Sequence, residues 1–400
     1  MGMKCFDYVI VGAGIVGLTV ASELKRRRPA ASIAVLEKEA APGMHASGRN
    51  SGVMHCGIYY GSDTLKAKVC AAGARKMIEY AEAEGITVNR CGKVILATGE
   101  EQLPTVDKLL RNAQENQIAA FKIDEQQLKE IEPFAASGVA AILCPDTAVI
   151  DSASIVQRMR DKLVNQGVEF LFGCSFFGRN GDKSIRTSQG DIGYGYLVNC
   201  AGAYADIVAK SFDVGREYAL VPFKGIYWKL SQNANHKVKA NIYPVPDVSM
   251  PFLGVHLTRV ISGDVYVGPT AIPAFGRENY GVLQGINLGE SLWIGHQLVG
   301  MYLRNENNFR KLTHVEMGKY KKTNFLAAAQ KLMPSLRADD MVRTSKAGIR
   351  PQLVNVHTRK LEMDYILEKT GDSLHVLNAI SPAFTSSLAF AELIADKIGA

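Results

Sequence analysis

The first forty residues alternate apolar runs with one stretch of helical periodicity. Residues 6–11 are β-branched and aromatic and are bounded by glycine, which predicts a buried strand. The apolar positions that follow recur at helical spacing until Pro29 and predict a helix along Leu18, Val20, Ala21 and Leu24. Residues 32–36 predict a second strand, which Glu37 closes. The chain is therefore predicted to open with a strand–helix–strand unit.

The rest of the chain continues this mixture of strands and helices, without an internal repeat or a low-complexity tract. The further predicted elements are a polar helical stretch at 100–132 that ends at Pro133, a helix from Asp151, strands at 169–172, 196–202, 265–267 and 375–377, and a last helix from near Thr385. This pattern predicts an α/β fold, and the length of 400 residues favours two domains.

The composition is that of a globular protein, with 47% hydrophobic and 21% charged residues. No run of 18 apolar residues occurs, so we expect no membrane span and a cytoplasmic chain. The net charge of +7 comes from basic residues spread along the chain, which gives no case for nucleic acid and a weak one for an anionic membrane surface. The seven scattered cysteines include no C-x-x-C pair, so we expect reduced thiols and no metal site.

A glycine motif follows the first predicted strand and opens the first helix. Gly12 permits a tight turn, Gly14 lets the backbone approach a pyrophosphate, and Gly17 lets the helix pack closely on the sheet. The pyrophosphate would lie at the helix N-terminus, where free N–H groups and the helix dipole favour anions. Glu37, 25 residues after Gly12, would accept the ribose hydroxyls of an adenosine. The motif predicts a dinucleotide cofactor but does not choose between NAD and FAD.

The segment after Glu37 is small, polar and glycine-rich, and aromatic residues follow it. Residues 47–52 read SGRNSG and residues 55–60 read HCGIYY, and this run resembles the L-2-hydroxyglutarate dehydrogenase/oxidase family, within the D-amino-acid oxidase-like flavoprotein superfamily. Further segments that match the family lie at 65–70, 91–93, 144–151, 241–247, 251–256, 348–352 and 381–387. The resemblance therefore covers essentially the whole chain. Departures from the family pattern occur at Lys224, Pro351, Ile380 and Phe384.

The resemblance implies non-covalently bound FAD and two interleaved domains. The implied division is a Rossmann-type FAD-binding domain of residues 1–85, 146–215 and 336–400, and a mixed-sheet substrate domain of residues 86–145 and 216–335. The implied cofactor contacts, beyond the three glycines and Glu37, are Lys38, Ser47, Arg49, Asn50, Ser51, Gly52, Gly202, Pro382, Thr385 and Ser386. Thr385 and Ser386 head the last helix, whose N-terminus can face negative charge on the flavin.

Arg350 is the predicted substrate clamp. The resemblance implies that this arginine, in a Gly-x-Arg motif, binds the α-carboxylate of the substrate, because a guanidinium fork fits a carboxylate bidentately. The implied reaction is oxidation of L-2-hydroxyglutarate to 2-oxoglutarate by hydride transfer to flavin N5. The electrons would pass to a quinone or to oxygen, and the family implies peripheral contact with the bacterial inner membrane.

Two histidines are candidates for the base that takes the hydroxyl proton. His55 is the first candidate because it would lie beside the flavin, and His256, in the predicted substrate domain, is its rival. Either histidine could instead only hydrogen-bond the flavin or pack within a strand. Lys66 or Lys224 could bind the second carboxylate of a five-carbon diacid. The side chains predicted to line the pocket are Tyr60, Lys66 and Gln352.

Two other functions stay open on the sequence alone. An amine-oxidising enzyme, acting on glycine or a D-amino acid, would share the Arg350 clamp, and only residues 55–60 argue against it. A flavin-binding interaction module without turnover would be a yellow protein whose flavin no small acid reduces.

Overall fold

The predicted strand–helix–strand unit opens the chain in the computed structural model, which describes residues 2–247 and 250–400. Strand β1 (Lys4–Val11) leads through the glycine motif into helix α1 (Ile15–Arg27), and strand β2 (Ile33–Glu37) returns beside β1. The two strands are parallel, with Val11 opposite Leu36. The prediction for the start of the chain is therefore confirmed.

The other strands and helices follow in chain order. The strands are β3 (Val53–Met54), β4 (Val88–Asn89), β5 (Lys93–Ala97), β6 (Phe121–Ile123), β7 (Ala140–Cys144), β8 (Ala148–Ile150), β9 (Glu169–Phe172), β10 (Phe176–Arg179), β11 (Ser184–Thr187), β12 (Gly190–Asn199), β13 (Tyr218–Leu230), β14 (Asn241–Pro244), β15 (His256–Arg259), β16 (Val265–Gly268), β17 (Ile272–Pro273), β18 (Met341–Asn355), β19 (Ile366–Lys369) and β20 (Ser373–Leu377). The helices are α2 (Leu65–Ala83), α3 (Leu103–Glu115), α4 (Glu125–Ile131), α5 (Ser152–Asn165), α6 (Ala205–Lys210), α7 (Leu288–Arg304), α8 (Phe309–Gly318), α9 (Lys322–Gln330) and α10 (Ala383–Ile398). None of the helices within the described ranges has both the length and the apolar character to cross a membrane.

The first large sheet carries the glycine motif. Its parallel core has the order β9, β2, β1, β12 and β20, and β10, β11 and β19 are antiparallel additions. Helices α1 and α10 pack together on one face, over a buried core that includes Leu18, Val35 and Phe390. Because parallel strands bring their carboxyl ends to one edge, the loops after β1, β2 and β12 meet there.

The second large sheet has the order β17, β13, β16, β15, β14, β5, β7 and β6, and β18 also pairs with β13. Strand β18 runs antiparallel to β13 over its whole length, from Asn355 opposite Tyr218 to Met341 opposite Leu230. This backbone pairing holds β18 in the second sheet, although the sequence assigned residues 336–400 to the FAD-binding segment. The boundary predicted at residue 336 therefore precedes the change of sheet, which comes between β18 and β19.

The polar helical stretch predicted at residues 100–132 is interrupted. Helix α3 ends at Glu115, Gln117 takes a left-handed conformation with φ of 53°, and β6 then pairs with β7. Asp124 starts α4 as a capping box, in which its carboxylate accepts the N–H of Gln127 at 2.8 Å. Strand β6 has three residues, which is too short for alternating hydrophobicity to reveal it in the sequence.

Candidate active site

A cavity of about 960 Å³ is lined by residues of both large sheets. We call the part around Gly12, Gly14, Glu37 and Ser47 the elbow region. The histidine region is the part around His55, Lys66, His256 and Arg350. A concave site of this size, formed where the carboxyl ends of parallel strands meet a second sheet, is typical of a site for a cofactor and a small substrate.

The glycines of the elbow region are required by their surroundings. Gly12 has φ of 108°, and a Cβ atom there would lie 2.5 Å from the carbonyl oxygen of Cys200. A Cβ atom at Gly17 would overlap the carbonyl oxygen of Gly12, so the helix could not approach β1 as closely. Glu37 is held beside this turn, where its carboxylate accepts the N–H of Ala13 at 2.9 Å. The turn and the close packing expected from the motif are therefore present.

Two helix N-termini open onto the cavity. Helix α1 has Gly14 as its N-cap and α10 has Pro382; neither N-cap residue supplies a side-chain cap, and neither helix has an acidic residue in its first turn. Both cap residues line the cavity. Because helix N-termini offer free N–H groups and positive partial charge, both favour an anionic ligand. These N–H donors, together with the carboxylate of Glu37 as an acceptor, fit FAD.

The loop at residues 274–287 crosses the elbow region from the side of the second sheet. Glu278 accepts hydrogen bonds from Lys38 Nζ at 2.6 Å and from the Tyr204 hydroxyl at 2.7 Å. The hydroxyl of Tyr280 lies 2.9 Å from His45 Nδ1. Three side chains where this loop contacts the elbow region could in principle bind a metal: Glu39, His45 and Glu278. They instead surround the ammonium group of Lys38, which already supplies the positive charge.

The cavity brings together most of the predicted site residues. Those that line it are Gly12, Gly14, Glu37, Lys38, Ser47, Arg49, Asn50, Ser51, His55, Tyr60, Lys66, Gly202, His256, Arg350, Gln352, Pro382 and Thr385. Gly17, Gly52 and Ser386 do not line it. Gly52 has φ of 73° and packs against the backbone of Ile150, and Ser386 Oγ donates to the carbonyl oxygen of Pro382 at 3.1 Å. These three residues pack behind the residues that line the cavity and do not face it.

His55 and His256 enter the histidine region from different parts of the chain. His55 follows β3, and its backbone N–H donates to Thr385 Oγ1 at the start of α10, at 3.3 Å. Among the described residues, the His55 side chain has no hydrogen-bond partner. Nδ1 of His256 lies 2.9 Å from the carbonyl oxygen of Gly254, and its ring stacks on Tyr243 with centroids 4.0 Å apart. Because a carbonyl only accepts, Nδ1 carries the proton and Nε2 keeps a free lone pair.

Both histidines are neutral at physiological pH. Burial lowers the pKa of His55 to about 3, and the charges of Lys93, a protonated His256 and Arg350 act in the same direction. Burial also lowers the pKa of His256 to about 4, against the effect of its hydrogen bond to Gly254. A neutral imidazole beside a cavity can accept a proton from a bound ligand.

Arg350 presents a cation to the cavity. It lies on β18 opposite Phe223, and its guanidinium carbon is 4.9 Å from the ring centroid of Phe252. No carboxylate within residues 2–247 and 250–400 forms an ion pair with it. Burial lowers the pKa of Arg350, but a guanidinium remains charged throughout the physiological range. A charge that is buried without a counter-ion is costly, so the site favours an anionic ligand.

Lys66 is a second cation of the same kind. Its side chain is buried in the first turn of α2, with Nζ 5.7 Å from the ring centroid of Tyr60 and 5.4 Å from that of Tyr365. Burial lowers the pKa of Lys66 to about 8, and the neighbouring charge of Arg350 contributes. Lys224, the other lysine considered for this role, instead donates to the carbonyl oxygen of Gly281 at 2.7 Å and does not line the cavity.

Several residues in or near the site had no role predicted from the sequence. Lys93 lies behind the cavity wall, and its segment was noted only as one of the family matches. A lysine that begins an otherwise apolar strand was the available clue. The residues that do line the cavity and had no predicted role include Tyr59, Tyr227, Tyr243, Phe252 and Tyr280.

The fold and the site define a class of protein. A glycine turn at the carboxyl edge of a parallel sheet, with two open helix N-termini on one cavity, is typical of flavin-dependent oxidoreductases. The family described as FAD dependent oxidoreductase (DAO) matches residues 7–397, so this protein is an FAD-dependent oxidoreductase. The structure of L-α-glycerophosphate oxidase from Mycoplasma pneumoniae with FAD bound has a TM-score of 0.77 at 19% identity, over 98% of this chain and 94% of that one. Glycine oxidase from Geobacillus kaustophilus has a TM-score of 0.72 at 17% identity, over 99% and 95% of the two chains. These two likenesses concern the fold alone.

Related sequences narrow the family. L-2-hydroxyglutarate dehydrogenase of Indibacter alkaliphilus is 36% identical over 405 residues, which cover 98% of each chain. The enzyme of the same name from Escherichia coli K12 is 34% identical, over 98% of this chain and 93% of the other. The chain belongs to the L-2-hydroxyglutarate dehydrogenase family, and the resemblance inferred from the sequence is confirmed.

Proposed function

We propose that this protein oxidises L-2-hydroxyglutarate to 2-oxoglutarate with FAD as its cofactor. The observation that carries the proposal is a pair of cations without ion-pair partners among the described residues, Arg350 and Lys66, beside two neutral histidines in one cavity. A five-carbon dicarboxylate supplies one negative charge for each cation and a hydroxyl group for the histidines. The names of the related enzymes support the same substrate.

Arg350 would bind the α-carboxylate and Lys66 the distal one. The guanidinium fork fits a carboxylate bidentately and thereby fixes the orientation of the adjacent carbon. The two cations are close enough that Arg350 lowers the pKa of Lys66, so a dianion between them relieves their mutual repulsion. An amino-acid substrate would instead bring an ammonium group towards these cations, which disfavours the amine-oxidising alternative.

We favour His256 over His55 as the base, which reverses the order inferred from the sequence. The hydrogen bond to Gly254 fixes the tautomer of His256, and the stack on Tyr243 restricts its ring, so that Nε2 is ready to accept the hydroxyl proton. The side chain of His55 has no such restraint from the described residues. His55 would then orient the substrate hydroxyl or support the base.

The elbow region would hold the cofactor. Gly12 and Gly14 would leave room for the pyrophosphate at the start of α1, Glu37 would accept hydrogen bonds from the ribose hydroxyls, and the N-terminus of α10 would favour negative charge on the flavin. The chemistry that bound FAD would supply is acceptance of the hydride, and the electrons would then go to a quinone or to oxygen. The division of the chain into an FAD-binding and a substrate domain, with β18 counted in the second sheet, is part of this proposal.

Anaerobic bleaching of the FAD-loaded protein tests the function directly. We expect L-2-hydroxyglutarate to bleach the flavin absorbance, with little effect of D-2-hydroxyglutarate, glycine or D-amino acids. Faster bleaching by an amino acid would replace this proposal with the amine-oxidising one. A yellow protein that none of these compounds bleaches would be a flavin-binding module without this activity.

A further inference from the structure

Lys93 and Cys56 form a buried contact that the proposed reaction does not use. Lys93 begins β5 with a fully buried side chain, and its Nζ lies 3.6 Å from Cys56 Sγ. The ring centroids of Tyr59 and Tyr243 are 4.8 Å and 5.5 Å from the same nitrogen. Throughout the described part of the chain, no carboxylate forms an ion pair with Lys93.

A buried ammonium group requires a negative partner. Cys56 is the adjacent group that can ionise at moderate pH, because the two tyrosines offer only ring faces and burial raises the pKa of Tyr59. A hydrogen bond from Cys144 lowers the pKa of Cys56 well below its usual value; burial opposes this, and the charge of Lys93 adds to it. Burial likewise opposes the charge on Lys93, but Cys56 and the neighbouring groups outweigh it and raise the pKa of Lys93. The 3.6 Å contact and these pKa directions favour an ammonium–thiolate pair.

Cys144 completes the cluster. It lies opposite Lys93 in the antiparallel pairing of β5 with β7, so both side chains are on the same face of the sheet. Both cysteines belong to the same buried apolar core, and neither forms a disulfide. Cys56 is 6% exposed, and the preceding residue His55 and the nearby Tyr59 line the cavity. A small neutral oxidant in the cavity is separated from the thiolate by one layer of side chains.

We propose that Cys56 is a peroxide-reactive thiolate that forms a disulfide with Cys144, a modification site directly behind the histidine region. The thiolate attacks hydrogen peroxide, the O–O bond breaks, and Cys56 becomes a sulfenic acid while hydroxide leaves. Cys144 then gives its proton to that hydroxide and attacks the Cys56 sulfur, and the S–O bond breaks as a second hydroxide leaves with a proton from water. The two cysteines lose two electrons, and the peroxide is reduced to one water molecule and one hydroxide ion, which carries the negative charge that Cys56 had.

The disulfide would act on the site through His55. Oxidation removes the negative partner of Lys93 and pulls the segment that carries His55 towards β7. We therefore expect a loss of activity that dithiothreitol reverses, because thiol exchange restores both cysteines.

Mass spectrometry of the FAD-loaded protein, treated with dilute hydrogen peroxide without substrate, tests the proposal. We expect a mass loss of about 2 Da, a cross-linked peptide pair containing Cys56 and Cys144, and reversal by dithiothreitol. Cys144→Ser should accumulate a dimedone-reactive sulfenic acid at Cys56 without the cross-link. Lys93→Met should slow the oxidation about tenfold, because the thiolate fraction falls. Cys5→Ser, which removes an exposed cysteine outside the cavity, is the matched control and should oxidise like the unmodified protein.

Oxidation of Cys56 no faster than that of Cys5 would overturn the proposal, as would a cross-link to any other cysteine. If Lys93→Met does not fold, the Cys144→Ser experiment decides alone. Because the experiment measures protein mass and not turnover, its result does not depend on whether L-2-hydroxyglutarate is the substrate.

Discussion

Several charged side chains of the elbow region form ion pairs with one another, whereas the two cations of the histidine region face the cavity. In the elbow region, Lys38 contacts Glu39 and Glu278, and Arg277 forms an ion pair with Asp206. In the histidine region, Arg350 and Lys66 have no ion-pair partner among the described residues, although Lys66 is buried and Arg350 is half-buried.

This difference separates two ways of recognising a ligand. The elbow region offers backbone N–H groups and helix N-termini, so its side chains are free to fasten the loop at 274–287 over the site. The histidine region recognises its ligand through side-chain charges that the protein leaves uncompensated, at a cost that an anionic substrate offsets. Substitutions in the two regions should therefore have separable effects, on cofactor affinity in the first and on turnover or KM in the second.

The largest effect is expected from the histidines. His256→Asn should lower kcat by about 100-fold or more, because a general base contributes about 10²–10⁴ to the rate. FAD should stay bound, as measured by the flavin absorbance after gel filtration. His55→Asn is the matched comparison and should lower kcat less. A larger loss in His55→Asn would move the role of base to His55, and loss of FAD in either variant would break the separation between the regions.

Arg350→Met is expected to raise KM by about 100-fold, because a bidentate charged hydrogen bond contributes roughly 3 kcal/mol. Arg343→Met removes an exposed arginine from the same strand and should leave KM unchanged. Steady-state kinetics with L-2-hydroxyglutarate measure both variants. An unchanged KM in Arg350→Met would show that the carboxylate binds elsewhere.

Local signals account for what the sequence predicted about the fold. The turn at Gly12 and the acid at Glu37 depend on neighbours within one strand–helix–strand unit, so their spacing carried the information. The position of β18 depends on its pairing with a strand more than 100 residues away, and the hydrophobic pattern does not identify a partner strand. The sequence could therefore not show that β18 joins the second sheet, and the boundary at residue 336 stays a prediction.

The same contrast between local and long-range information applies to the candidate active site. Arg350, His55 and His256 were candidates because of motif resemblance, yet only the fold brings these three segments onto one cavity. The ion pair of Lys38 with Glu278 and the contact of Lys93 with Cys56 were not predicted, because each joins residues that are distant in the sequence and belong to no motif. The choice of Lys66 over Lys224 also required coordinates, because it depends on which lysine faces the cavity.

Lys66 should set the alkaline limb of the pH profile. Binding of the distal carboxylate requires the protonated amine, and the pKa of Lys66 is about 8, so kcat/KM should fall as the pH rises through about 8. Both histidines are already neutral above about pH 5, so no acidic limb from them is expected at physiological pH. Lys66→Met should lower kcat/KM about tenfold below pH 8 and abolish the alkaline limb. A limb that persists in this variant would belong to another group.

The smallest effect is expected in the elbow region, from Glu278→Gln. The carboxylate of Glu278 is one-third exposed, so its ion pair with Lys38 is screened by solvent and salt. We expect FAD affinity to fall about two- to fivefold at low ionic strength and the difference to shrink at high salt. Glu130→Gln, at an exposed glutamate on α4, is the control. With FAD saturating, KM for the hydroxy acid should not change, because the loop contacts the elbow region and not Arg350 or Lys66. A change in KM under those conditions would mean that the loop couples the two regions, so that cofactor binding and substrate binding would not be separable.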